Sequence, residues 1–212
     1  IGDALGNTSE GLTVADRQAR FGEIRDYLPN PHAGGTRAGL PSDDTQLAFW
    51  LLESLLERGA LDPDDLAARF ASRRIFGIGK SVQQFLHNRE QGITPWYRCG
   101  AESAGNGALM RIAPIVLLHP DGTGPGLWLD TALASIVTHR DAASVAACVA
   151  FTDLLSRLLR LPAPPTAEWI IGTFAGTVRQ VCTDEQYGAR GGLLTTGPGS
   201  FPDCLDRALA EA

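Results

Sequence analysis

The apolar stripe Leu47, Ala48, Leu51, Leu52, Leu55 and Leu56 limits the folds open to this chain more than any other feature. Its i, i+4 spacing predicts a helix over 45–58, and Gly59 stops it. Asp62 and Pro63 then supply the N-cap and first turn of another helix running through Leu66, Ala67 and Phe70. Further helices are predicted over 81–88, 127–137, 142–161 and 166–179, with Asp141 as an N-cap. Segment 107–118 is apolar, and Gly/Pro-rich 121–126 is a loop. Period-2 alternation is nearly absent. The best strand candidate, 112–116, carries Pro114, which cannot donate to a ladder. The reading is one all-α domain over residues 1–212, with functional loops between buried helices.

Bulk properties exclude several classes of function. Of 212 residues, 44% are hydrophobic and 20% charged, enough apolar content for a sizeable core and too much for disorder. The net charge is −6 and no basic stripe runs along the chain; Arg73 and Arg74 form only a short cluster. Nucleic-acid backbone binding is therefore not indicated. No apolar run reaches the ~18 residues of a membrane span. Cys99, Cys148, Cys182 and Cys204 are scattered without a Cys-x-x-Cys pair, which excludes a zinc ribbon and fits a reducing, cytoplasmic setting. The chain begins at Ile1 without Met or a signal peptide and stops at Ala212, inside a helix read from Ser200 or Phe201. Truncation at both ends is the expectation.

Chemistry concentrates in Pro41-Ser42-Asp43-Asp44-Thr45-Gln46, at the entrance to the Leu-striped helix. Two carboxylates and two hydroxyls side by side suit hard cations such as Mg²⁺ or Mn²⁺. The plainer reading is that Ser42 or Asp43 caps the helix and complements its dipole.

Four other segments carry candidate groups. Gly2-Asp3-Ala4-Leu5-Gly6 suits a short, closely packed helix, with Glu10 in the loop beyond and Asp3 free to be a buried hydrogen-bonding residue. Gly77-Ile78-Gly79-Lys80-Ser81 resembles part of a phosphate loop, but Arg74 stands where the full nucleotide-binding pattern needs glycine. Its backbone N–H groups can still meet an anion. Ser103-Ala104-Gly105-Asn106-Gly107 leads into an apolar helix, in which Met110 reads as core filler and Arg111 as a buried ion-pair partner for an acid. His139 follows Thr138 between two helices, placed to hydrogen-bond structurally, contact a sugar hydroxyl or stack on a ring.

In order and spacing, these pieces resemble the ADP-ribosylglycohydrolase family: Gly2-Asp3-Ala4-Leu5-Gly6 with Glu10, Ser42-Asp43-Asp44-Thr45-Gln46, Gly77-Ile78-Gly79, Gly105-Asn106-Gly107-Ala108-Leu109-Met110-Arg111 and Thr138-His139. The resemblance covers residues 1 to about 155 and implies a compact multi-helix domain with orthogonal helix packing. It implies a binuclear Mg²⁺ or Mn²⁺ centre, with Ser42, Asp43 and Asp44 on one side of the metal site. Glu10, Asp43 and Asp44 become the catalytic residues, Glu10 being the mobile acid near the scissile bond. Gly77, Gly79, Ser103, Gly105, Asn106 and Gly107 would line the diphosphate and ribose, with His139 near the distal ribose.

The implied reaction is hydrolysis of the glycosidic bond between ADP-ribose and a protein side chain or small acceptor. One departure stands out. The family's late Asp-x-Asp-Thr motif is absent, and Asp203 and Asp206 do not match it. The alternative is therefore a non-catalytic ADP-ribose binder. A P-loop nucleotidase fails on Arg74.

Overall fold

The computed structural model describes residues 1–30 and 34–181, together with residue 210. The Gly-rich stretch 187–199, the terminal helix read from residue 200, Cys182, Cys204, Asp203 and Asp206 lie outside the described residues. The regular structure is helical: α1 (Gly2–Gly6), α2 (Val14–Phe21), α3 (Asp43–Arg58), α4 (Pro63–Ser72), α5 (Lys80–Glu90), α6 (Trp96–Cys99), α7 (Pro125–Ile136), α8 (Ala142–Leu158) and α9 (Ala167–Val181). Short 3₁₀ turns occupy Asn7–Ser9, Leu109–Arg111 and Ala113–Leu118. Among the described residues no strand forms; two isolated bridges pair Pro29 with Ala38 and Ala101 with His139. The all-α reading holds.

Two expectations need correction. The strand candidate at 112–116 is a 3₁₀ segment with Pro114 in its first turn, where a missing N–H costs nothing. The apolar helix expected from Gly107 is likewise two successive 3₁₀ turns. The core-facing side of α3 also differs in detail. Leu47, Trp50, Leu51 and Leu55 are buried, whereas Leu56, at the end of the sequence stripe, is 76% exposed. The buried face follows i, i+3, i+4 and rotates away from Leu56.

The core joins that face to Leu66 and Phe70 of α4, Val82 and Phe85 of α5, Ile112 and Ile115 of the 3₁₀ turns, and Cys148 of α8. α8 packs most extensively on α7 and α9. Asp141 accepts from the N–H groups of Ala143 and Ser144, the cap read from sequence. Ion pairs link α4 to α3: Arg69 reaches Glu57 at 2.5 Å and Arg58 reaches Asp65 at 2.7 Å, while Arg69 also pairs with Asp65 within α4 at 2.5 Å.

The start of α3 is capped from a distance. Ser42 occupies the N-cap position without using its side chain as a cap. Asp3 of α1 accepts instead from the N–H groups of Ser42 (2.9 Å) and Thr45 (3.3 Å), and from Ser42 Oγ at 2.7 Å. Asn7 adds a fourth donor at 3.1 Å and also donates to the Leu40 carbonyl. Burial raises the Asp3 carboxyl, but hydrogen bonds from Thr45, Ser42 and Asn7 prevail and hold it below its ordinary value. We expect Asp3→Ala to cost about 2 kcal/mol in chemical denaturation, because buried donors at α3 lose their acceptor. An unchanged midpoint would contradict this capping role.

Candidate functional site

Because Asp3 serves the helix terminus, Asp43 and Asp44 are released from capping. Both line a cavity of about 360 Å³ shared with Glu10, Gly77, Gly79, Gly105, Asn106, Gly107 and His139. Five segments distant in sequence thus converge on one space. Glu10 is an exposed rim residue following the Asn7–Ser9 turn, and Gly11 (φ 77°) lets the chain turn away behind it.

Asp43 is nearly buried. Burial, the adjacent Asp44 and the more distant Glu10 push its carboxyl up to about 6, against opposing hydrogen bonds from its own N–H and that of Gly79. A crowded acid whose charge is penalised in this way gains from a cation. Ser42 is buried behind Asp44, with its Oγ 2.9 Å from Asp44 Oδ2, and it does not line the cavity.

The Gly77–Gly79 loop is positioned by Gln46, a residue given no role at the sequence level. Its Nε2 donates to the Arg74 carbonyl (3.2 Å), and its Oε1 accepts from Phe76 N–H (2.8 Å). Gly77 takes φ 75°, and Gly79 then caps α5 with no side chain of its own, so the first N–H groups of α5 are left for a ligand. Lys80, Ser81, Val82 and Met110 also line the cavity. Ser81 and Lys80 follow directly on the glycine loop, which was the one available clue to them. Ser103 lines a neighbouring hollow, with Lys80, Ser81 and Arg140, and accepts from Gly105 N–H at 3.2 Å.

His139 is buried to 1% exposure. It is tied to the 101–107 loop by the Ala101 bridge, in which Ala101 N–H donates to the Thr138 carbonyl and Arg140 N–H to the Ala101 carbonyl. Gly107 leaves room for the ring; a Cβ there would stand 2.9 Å from His139 Cε1. Burial, and secondarily Arg111, pull the imidazole down to about 4, so it is neutral at physiological pH. Arg111 corrects an expectation. It is fully buried but pairs with no carboxylate among the described residues; it donates to the Ala134 carbonyl and Thr138 Oγ1 and lies 4.8 Å from the Phe70 ring centre.

The acidic side chains lining the cavity, Glu10, Asp43 and Asp44, form a carboxylate set, and carboxylate oxygens are the ligands a hard cation takes. The set is one-sided: among the described residues no three His, Cys, Asp or Glu side chains come together as a metal-holding group.

The family model described as ADP-ribosylglycohydrolase matches residues 1–211. An uncharacterized protein of Archaeoglobus fulgidus is 39% identical over 123 residues, 56% of this chain and 40% of its own length. The ADP-ribosyl-[dinitrogen reductase] glycohydrolase of Rhodospirillum rubrum is 31% identical over 75% of this chain and 54% of its own. The chain thus spans about half the length of the curated relatives it matches. A solved structure, an ADP-ribosylglycohydrolase-related protein complex, superposes with a TM-score of 0.64 at 31% identity over 98% of this chain and 70% of the other.

Proposed function

The chain belongs to the ADP-ribosylglycohydrolase family, and from that premise we propose that it hydrolyses the glycosidic bond between ADP-ribose and a protein side chain or small acceptor. One observation carries the reading: the Asp43, Asp44 and Glu10 carboxylates face a single cavity whose remaining wall is a helix N-terminus, a glycine-rich loop and a neutral imidazole.

In this reading Asp43 and Asp44, braced by Ser42, hold Mg²⁺ or Mn²⁺ on one side of the site. The bound cation supplies Lewis acidity toward sugar and water oxygens. The free N–H groups at the start of α5, with Lys80, receive a diphosphate. Residues 105–107 admit the ribose by lacking bulk, and His139 meets a sugar or phosphate oxygen. Glu10, at the rim, is placed to take a proton from water or give one to the leaving acceptor. The partner is an ADP-ribosylated protein or a small ADP-ribosyl compound. Among the described residues no helix is long and apolar enough to cross a membrane, and the scattered cysteines favour a cytoplasmic setting. A second reading, an ADP-ribose binder without turnover, is favoured by the one-sided ligand shell.

The deciding experiment gives the protein an ADP-ribosylated substrate with Mg²⁺ or Mn²⁺ and follows free ADP-ribose. Release abolished by a chelator is the expected result. Calorimetric binding of ADP-ribose without release selects the binder, and the absence of both ends the assignment.

A further inference from the structure

Arg111, Thr138 and His139 form a buried chain that leads to the cavity wall. All three are at most 1% exposed. Arg111 Nη2 donates to Thr138 Oγ1 at 2.7 Å, and Thr138 Oγ1 stands 2.9 Å from His139 Nδ1. A guanidinium has only donors, so the hydroxyl must accept from Arg111. Its single hydrogen then needs an acceptor, and His139 Nδ1 is the one within reach among the described residues. If Nδ1 carried the proton, it would point at the same hydroxyl oxygen, and the threonine hydrogen would be buried without a partner at a cost of about 1–3 kcal/mol. Only one arrangement satisfies the threonine hydroxyl and Nδ1 together: Nδ1 bare and Nε2 protonated.

Nε2 lies on the side of the glycine loop, where Cβ atoms built on Gly105 and Gly107 would come within 3.7 Å and 3.0 Å of it. It takes no protein partner among the described residues.

We propose that Arg111 and Thr138 are positioning residues that lock His139 as a neutral Nε2–H donor aimed into the cavity, there to meet an oxygen of a phosphate or sugar ligand. The buried cation also opposes a second positive charge on the ring, in line with the depressed basicity of the imidazole. Among the described residues Arg111 Nε and Nη1 have no hydrogen-bond partner, so the guanidinium's pairing is concentrated on the Thr138 side. The tautomer follows from the protein alone; only the identity of the ligand oxygen rests on the ADP-ribose reading.

Long-range ¹H–¹⁵N spectra of the labelled protein test the lock, with His139→Gln assigning the resonances. The expected wild-type pattern is a pyridine-like Nδ1 and a pyrrole-like Nε2, unchanged across the ordinary imidazole midpoint of about 6.5. A protonated Nδ1, or titration near that midpoint, overturns the proposal; the reading is made on the wild-type protein, and the variant serves only to assign its peaks. Thr138→Val is expected to mix the two tautomers and weaken ADP-ribose binding about fivefold. Thr138→Ser is expected to restore both, and a Val variant retaining the wild-type spectrum overturns the relay. A locked Nε2–H ring in a protein that does not bind ADP-ribose upholds the relay and sinks the ligand assignment.

Discussion

Asp44→Asn and Asp43→Asn are each expected to lower cation-dependent release of ADP-ribose by about a hundredfold or more, the scale on which charged groups at a reacting centre matter. The two should differ in stability. Asp43 is nearly buried beside Asp44, with Glu10 farther off, and its charged form is penalised. Neutral Asn keeps an oxygen for the Gly79 N–H and removes the repulsion. The apo protein should therefore gain about 1 kcal/mol, or about 3 °C in melting temperature. Asp44 is only half-buried, and the Ser42 hydroxyl 2.9 Å away shares its one hydrogen between Asp44 and Asp3, so replacing Asp44 offers no such gain. Kinetics with calorimetry on both variants checks the pair. An Asp44→Asn protein with wild-type turnover would remove the acid pair from the mechanism.

Gly100→Ala is expected to be the most damaging single methyl in the described structure. A Cβ at this position would lie 2.5 Å from the Ile136 carbonyl oxygen and 3.0 Å from the Thr138 carbonyl carbon. Both are backbone atoms and cannot swing aside. The backbone at Gly100 (φ −64°, ψ 149°) is open to any residue, so the demand is purely one of space. Relief would push the 99–101 chain off the α7 terminus and open the Ala101–His139 bridge. A loss of about 3 kcal/mol is expected, with weakened ADP-ribose binding through the displaced His139. Gly172→Ala, in the exposed face of α9 with open space around it, should have the opposite sign and stabilise by about 0.5–1 kcal/mol. Thermal melts of both variants decide the point, and a Gly100→Ala melt matching wild type refutes it.

Strong periodicity made the long helices legible. α3, α4, α7, α8 and α9 lie where apolar spacing and caps such as Asp62 and Asp141 put them, give or take a few terminal residues. α2 has a cap of its own, Thr13 accepting from Asp16 N–H, but it buries no residue, so no apolar stripe announced it. The grouping of Glu10, Asp43, Asp44, the two glycine loops and His139 was readable as a family pattern. What stayed hidden was every contact made through space. Nothing local reveals that the acceptor for α3 lies about forty residues upstream, that Gln46 holds the 74–76 backbone, or that Arg111 faces a threonine and an aromatic ring instead of an acid.

The remote cap also constrains how the protein can be rebuilt. Asp3 binds the entrance of α3 through three contacts, and Asn7 ties the same short helix to Leu40. Residues 1–10 and 40–46 are in effect one interlocked part made of two pieces of chain. A chimera that takes its first ten residues from a relative and keeps this α3 will misplace Glu10 unless the complementary hydroxyl and amide contacts travel with the graft. Exchange of both pieces together should preserve the alignment of the three acids.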